Sequence, residues 1–329
     1  MKKITLAHGS GGSLMHDLIK DLFVKNLDNP FLNNLGDSAL INKNLAYTTD
    51  SFVINPIFFP GGDIGKLSIC GTINDLCVSG AKPKYLSCGM IVEEGFDYKD
   101  LEKITLSIKK TCKKAGVYIV AGDFKVVEKG AADKIFINTS GVGEMHKDTR
   151  LSASHIRPGD RIIINGTIGD HGASVLLARE ELKFKSRIFS DCACLNGLIS
   201  SVICRDVRFM RDPTRGGLAT TLNEISAQCG CDLTIDETSI PVKEKVRALC
   251  EILGMDPLYM ANEGKVLLIV SSKSASRILS RMKRHPFGKN SRDIGEVEKS
   301  RDKRVYLKTK IGGMRILDML RGEQLPRIC

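Results

Sequence analysis

Five aspartates share one kind of setting in this sequence. Asp37, Asp50, Asp75, Asp123 and Asp212 each stand beside Gly, Thr, Ser, Asn or Pro, at the start or end of an apolar stretch. One such residue is usually a turn or cap residue. Five of them in a chain of net charge +11 describe a focused acidic site within a positive surround. Hard oxygen ligands of this type suit Mg²⁺, which keeps several waters and bridges to phosphates. Glycine turns, Gly9-Ser10-Gly11-Gly12 and Gly216-Gly217, offer backbone N–H groups to those phosphates. Lys125 and Arg215 are the cations that neutralise charge on a transferring phosphoryl group. No G-x₄-G-K-[ST] loop is present, so the site is not of the Walker type.

A second reactive group closes the chain, which ends Glu323-Gln324-Leu325-Pro326-Arg327-Ile328-Cys329. Pro326 disfavours helix at Leu325, so the segment is expected to run extended. Chain ends are mobile unless tied down, and a thiol on such an arm can visit two places in turn. Arg327 adds a positive charge that favours the thiolate. By itself a terminal cysteine is ordinarily incidental.

The bulk numbers narrow the class. With 329 residues there is room for one large domain or two ordinary ones. No apolar run approaches the roughly 20 residues of a membrane span, and Met1 to His8 lacks the apolar core of a signal peptide. A cytoplasmic protein is expected, with no membrane partner. The eleven cysteines form no disulfide or zinc-ribbon spacing; Cys192-Ala193-Cys194 and Cys229-Gly230-Cys231 are C-x-C pairs. Basic residues are scattered, with a modest cluster from Arg277 to Lys289, and tryptophan is absent. That composition argues against a single-strand nucleic-acid binder.

Elements must position these groups. The periodicity predicts an amphipathic helix over 14–23, short strands over 39–41 and 45–48, and a small-residue helix over 64–79 carrying Asn74-Asp75. A strand over 85–92, an amphipathic helix over 98–115 closed by Gly116, and a buried strand over 117–121 leading into Gly122-Asp123-Phe124-Lys125 come next. Another strand follows at 134–140. The polar stretch 145–157 reads as a boundary. Beyond it are a strand at 161–165, a helix from Gly169 to Glu181, a helix after Arg211-Asp212-Pro213-Thr214-Arg215-Gly216-Gly217, and alternating strands and helices. A short final helix is expected over 316–320. The chain divides into 1–150, 151–320 and a tail, 321–329.

These motifs together carry a resemblance. Ala7 to Gly12, the run from Thr49-Asp50-Ser51 through Pro60-Gly61-Gly62-Asp63 to Leu67, Cys70-Gly71-Thr72-Ile73-Asn74-Asp75-Leu76, Ala121-Gly122-Asp123 with Lys125, Gly169-Asp170-His171-Gly172, Arg211 to Ala219 and the ending Pro326-Arg327-Ile328-Cys329 resemble the HypE family of hydrogenase maturation proteins. The likeness runs in order along essentially the whole chain. It implies an α+β, two-domain PurM-like (AIR synthase-like) fold with mixed sheets and a flexible C-terminal tail, paired as a homodimer. It implies a carbamoyl dehydratase, a lyase using ATP and Mg²⁺. The terminal cysteine would receive a carbamoyl group from the carbamoyltransferase HypF. Dehydration to a thiocyanate would follow, and the cyano group would pass to iron on a HypC–HypD scaffold. By this resemblance Cys329, Lys125 and Glu263 are catalytic. The nucleotide site comprises Gly11, Gly12, Asp37, Asp50, Asn74, Asp75, Asp123, Asp212, Thr214, Arg215, Gly216 and Gly217. Asp37, Asp75, Asp123 and Asp212 are the metal candidates. His171 reads equally well as a helix-cap histidine.

Two positions depart from the family pattern. Phe124 stands where the family usually has Thr, and Ser38 where it often has Asp. The first removes a hydroxyl beside the nucleotide and the second a metal ligand. Rival readings are another ATP-using superfamily member, such as a selenophosphate synthetase or small-molecule kinase, and a basic nucleic-acid-binding module. Neither rival needs a terminal thiol.

Overall fold

A computed structural model describes residues 3–32, 35–42, 44–147, 149–179, 187–300, 302–320, 322, 325 and 327–329. Glu181, Glu323, Gln324 and Pro326, which enter the sequence expectations, lie outside the described residues.

The first half opens with α1 (Ser13–Leu18), which continues as a wider π-helical turn over Ile19–Val24. The strands β1 (Ala39–Ile41) and β2 (Leu45–Phe52) follow, then a small hairpin of β3 (Phe58–Phe59) and β4 (Gly62–Asp63). Helix α2 (Ile64–Val78), β5 (Ala81–Glu93), α3 (Tyr98–Ala115), β6 (Tyr118–Val127) and β7 (Ile135–Met145) complete it. The main sheet has the order β1-β2-β7-β5-β6, antiparallel except for the β5–β6 pair.

Helix α2 is the axis of this half. Asp63 caps it by accepting from Gly65 N–H (2.9 Å) and Lys66 N–H (3.0 Å). Its periodic small residues let it be buried on all sides, unlike α3, whose lysines face solvent and whose Ile104, Ile108 and Cys112 face inward. Both helices cover one face of the sheet. The other face is open: Tyr47, Tyr85, Ile91 and Tyr118 are exposed on it. The strand expected to be buried over 117–121 is therefore an exposed edge strand, because β6 has a partner only in β5.

The second half contains β8 (Arg161–Ile164), α4 (Asp170–Ala178), α5 (Asn196–Val202), β9 (Val207–Arg211), α6 (Gly217–Cys229), β10 (Asp232–Asp236), α7 (Glu244–Leu253), β11 (Leu267–Val270), α8 (Ser272–Arg284), β12 (Arg292–Glu298), β13 (Val305–Lys308) and β14 (Met314–Ile316). Its sheet runs β14-β13-β10-β12-β8-β11-β9, with only β10–β13 parallel. The continuous apolar runs Ile162-Ile163-Ile164 and Leu267 to Val270 are fully buried central strands. The expected helix over 316–320 is replaced by strand β14, since Ile316 pairs with Tyr306 and Leu317 N–H reaches Val305 O at 2.8 Å. Five residues are too few to hold a helix against that pairing.

One apolar core crosses between the halves. Cys70 and Ile73 of α2 pack in the same cluster as Leu195, Leu198, Ile199 and Val270. Every cysteine is unbridged, and Cys70 and Cys194 meet across the seam with sulfurs 3.4 Å apart.

Candidate functional site

A cleft of about 550 Å³ opens where the two halves meet. Asp37, Asp50, Asp75, Asp212, Glu224 and Glu263 supply its acids, and Arg211 and Arg215 its cations. The acids arrive on different elements: Asp37 before β1, Asp50 on β2, Asp75 on α2, Asp212 after β9, Glu224 on α6 and Glu263 before β11. No local sequence window holds more than one of these acids.

Burial dominates their electrostatics. Removal from water pushes Asp75 well above the usual carboxylate range, and Asp212, Asp50 and Asp37 add to it. Burial and then Asp37 push Asp212 up to about 8. Glu263, only 4% exposed, is raised well above its ordinary value by burial, then by Cys192 and Asp191. Asp37 is raised by burial against the opposing pull of Arg211, whose Nε lies 3.2 Å from it. Asp50 is raised by burial against Arg215. Thr48 Oγ1 lies within reach of two acceptors, the Asp37 carbonyl (2.8 Å) and Asp75 Oδ2 (3.1 Å). So many carboxyl groups in one buried place need a counter-charge.

The donor set fits a hard cation bridging to phosphates. Mg²⁺ is commonly held by one or two carboxylates together with substrate oxygens. Among the described residues no three His, Cys, Asp or Glu side chains form a closed metal cage. The buried Ser38 Oγ also faces the cleft with no hydrogen-bond partner among the described residues. Ser38 stands where a carboxylate was expected, and it keeps an oxygen there.

The tail enters the same cleft. Cys329 lines it together with Glu263, Arg215 and Asp50. Cys329 is the largest influence holding the Arg215 guanidinium in its charged form, with burial opposing. The expected free arm is thus docked over residues 327–329. Arg327 does not serve the thiol: its guanidinium pairs with Asp133 and donates to Val53 O at 2.8 Å. Arg215 is the cation beside Cys329 instead.

Several expected site residues sit elsewhere. Asp123 and Lys125 form an exposed pair at 2.7 Å on β6, each 65% exposed, and neither lines the cleft. Alternate residues of an exposed strand share a face, so both follow the open side of the sheet. Asn74 is also outside the cleft. Its amide donates to Ala193 O (3.1 Å) and Glu263 O (3.3 Å) and accepts from Leu195 N–H (2.9 Å), stitching the halves together. Thr214 and Gly11 line the cleft; Gly12, Gly216 and Gly217 do not. Gly217, at φ +62°, lies so close to the Leu258 and Met260 carbonyls that a Cβ would sit 2.6 Å from each. Its role is close packing at the start of α6. At the other glycine turn, Gly11 N–H meets Met15 Sδ (3.2 Å) and Ser13 N–H bonds Leu320 O (3.1 Å), so these two donors are already engaged.

Residues that sequence reasoning missed complete the site. Arg211 bridges Asp37 and Glu224 (3.1 Å), and Glu224 also meets His16 at 2.7 Å. Only the adjacency of Arg211 to Asp212 hinted at it. Behind the cleft Lys265 and Asp191 form a buried pair at 2.8 Å. Burial raises Asp191, but Lys265 and His171 outweigh it and leave the carboxyl below its ordinary value.

The chain matches the AIR synthase related protein family twice, the N-terminal domain over residues 35–145 and the C-terminal domain over 157–308. It is 47% identical to the carbamoyl dehydratase HypE of Cupriavidus necator over 99% of this chain and 95% of that protein. A crystal structure of a HypE–HypF complex superposes with a TM-score of 0.89 at 49% identity, over 92% of this chain and 99% of the other. A structure of HypE in complex with ATP gives 0.84 at 47% identity, over 99% and 100% of the two chains. A crystal structure of thiamine monophosphate kinase from Aquifex aeolicus at 19% identity, over 89% of this chain and 97% of the other, shares the fold alone, with a TM-score of 0.68. With a PurM-like pair of mixed sheets, an acidic cleft between them and these relatives along its length, the chain belongs to the HypE family of carbamoyl dehydratases.

Proposed function

We propose that this protein dehydrates a carbamoyl group carried on the Cys329 thiol to a thiocyanate, using ATP and Mg²⁺, for hydrogenase maturation. The observation that carries this reading is that Cys329 lines the acidic cleft together with Glu263 and Arg215. A related kinase or selenophosphate synthetase has no use for a thiol at that place.

The carbamoyl oxygen is a poor leaving group until the ATP γ-phosphoryl is transferred to it. That oxygen then departs with phosphate while both N–H protons leave and the C≡N bond forms. ADP and phosphate are the other products. Asp37, Asp75 and Asp212 are the residues to hold Mg²⁺, which supplies charge neutralisation at the phosphates. Arg215 neutralises charge developing near the sulfur-bound carbon. Glu263 is the base: a carboxyl with a raised pKa, once ionised, is a better proton acceptor for a weakly acidic N–H.

The proposed division is 1–150, 151–320 and the tail 321–329. The proposed assembly is a homodimer formed on the open face of the first sheet, whose exposed aromatic and aliphatic side chains need cover. Asp123 and Lys125 stand on that face, so Lys125 acts on the cleft of the second copy. The donor partner is a HypF-type carbamoyltransferase and the acceptor a HypC–HypD iron scaffold.

Intact-mass measurement with ATP and a carbamoyl donor system tests the reading. A carbamoyl adduct on Cys329 that then loses water is expected. Cyanation that persists in Cys329→Ala overturns it.

A further inference from the structure

The docked tail is held in two ways. The first uses main chain: Val53 N–H donates to Cys329 O (3.0 Å) and Asn55 N–H to Arg327 O (3.2 Å), an antiparallel ladder extending the line of β2. Arg179 reinforces it by donating to Asn55 O (2.9 Å) and Arg327 O (3.1 Å). The second hold is a single side chain. His171, on the first turn of α4 and fully buried, lies with Nε2 2.7 Å from the Ile328 carbonyl. A carbonyl only accepts, so Nε2 carries the hydrogen. The other ring nitrogen, Nδ1, then accepts from Ser190 Oγ–H at 2.8 Å. Ser190 is itself fixed: its N–H donates to Pro60 O (2.8 Å) and its Oγ accepts from Cys192 N–H (3.1 Å). The Phe59 ring packs edge-on against the imidazole at 5.4 Å. Ile328 is 5% exposed, so the bond is shielded from water.

The asymmetry of this bond is informative. A buried histidine serving only the core finds both partners within the core. Here one partner is permanent and the other belongs to the chain terminus. Withdrawing the tail leaves a buried N–H without its acceptor, and that loss is costlier than the net worth of an ordinary hydrogen bond. We propose that His171 is a positioning residue, a latch on the Ile328 carbonyl that sets the fraction of molecules with Cys329 in the cleft. The proposal rests on the reading of Cys329 as carrier. Its deciding readout, the accessibility of Cys329, is independent of catalysis.

Alkylation of Cys329 by iodoacetamide in the full-length protein, read by peptide mass mapping, reports how often the tail is out. Half-buried Cys204, remote from the tail in sequence and lying after α5, is the internal reference. In His171→Ala, Cys329 is expected to react roughly tenfold faster, with Cys204 unchanged. His171→Gln, whose side-chain amide presents an N–H at the Nε2 position, is expected to restore slow reaction to within about twofold of the parent. Single-turnover dehydration of preloaded Cys329 should slow in His171→Ala while ATP affinity stays constant. Equal alkylation rates in parent and His171→Ala overturn the latch, and so does a His171→Gln rate as fast as that of His171→Ala. If His171→Ala fails to fold, Ser190→Ala decides: about threefold faster alkylation supports the latch, and no change overturns it. Activity retained in Cys329→Ala removes the carrier reading without altering these accessibility rates.

Discussion

Two acid–base neighbourhoods in this molecule look alike in sequence and behave in opposite ways. Arg211-Asp212 and Asp123-Phe124-Lys125 each put a carboxylate within two residues of a cation. In the cleft, burial and the neighbouring Asp37 lift Asp212 to about 8. On the open face of β6, the hydrogen bond from Lys125 holds Asp123 below its ordinary value. The nearest cation does not decide the outcome. What decides it is how much water remains and how many other carboxylates share the space. Arg211 is committed to Asp37 and Glu224 and leaves Asp212 undercompensated. Asp123 has solvent and its own partner.

The sharpest way to break this contrast is to remove the cleft charges. Asp75→Asn and Asp212→Asn are expected to lower the dehydration rate on the order of 100-fold and to weaken Mg²⁺-ATP binding measured by calorimetry. Unchanged nucleotide affinity in both variants counts against the metal assignment.

The next effect is one of geometry. If Lys125 serves the second copy, mixing Cys329→Ala with Lys125→Ala subunits creates some clefts that lack neither group. Activity is expected to recover to on the order of a quarter of the parent rate after subunit exchange. No recovery places Lys125 within its own cleft, and full activity of Lys125→Ala by itself takes it out of the reaction.

A smaller effect concerns stability. Asp212 rises from its ordinary 3.8 to about 8 on folding. Below pH about 4 both folded and unfolded forms are protonated, and the group is neutral in its effect. As pH rises, the unfolded chain ionises first, so folding stability is lost up to about pH 8. The nucleotide-free protein should therefore melt lower at pH 8 than at pH 5, and Asp212→Asn should raise the pH 8 melting temperature by about 5 °C. A pH-independent difference between parent and variant contradicts this. The least effect is expected on the other side of the comparison: Asp123→Asn should leave the melting temperature of the unassembled subunit unchanged at both pH values, since exposed pairs contribute little.

Much of this was legible from residue order. The helix pattern at 98–115 appears as α3 and the small-residue helix over 64–79 as α2. Gly116 closes α3 as its position predicts. Asp37, Asp50, Asp75, Asp212, Arg215, Glu263 and Cys329 do meet in one cleft. Asn74 and Asp75 show why the rest was not legible. They are adjacent in sequence, yet the helix turns one toward the cleft and the other into the seam, where its amide is consumed by backbone groups. Glu224 and Ser190 carry no motif that marks them, because their partners lie far away in sequence.

Sequence alone determined the inventory: which apolar periods become helices and strands, which glycines permit tight turns, and which groups with acid, base or nucleophilic chemistry the chain carries. These are properties of neighbours within a few residues, where propensity and pattern act. Tertiary structure alone decided which of those groups lose their water together. Ionisation, the docking of the last three residues and the exposure of β6 all depend on packing between distant segments, and burial is a property no single stretch of chain possesses.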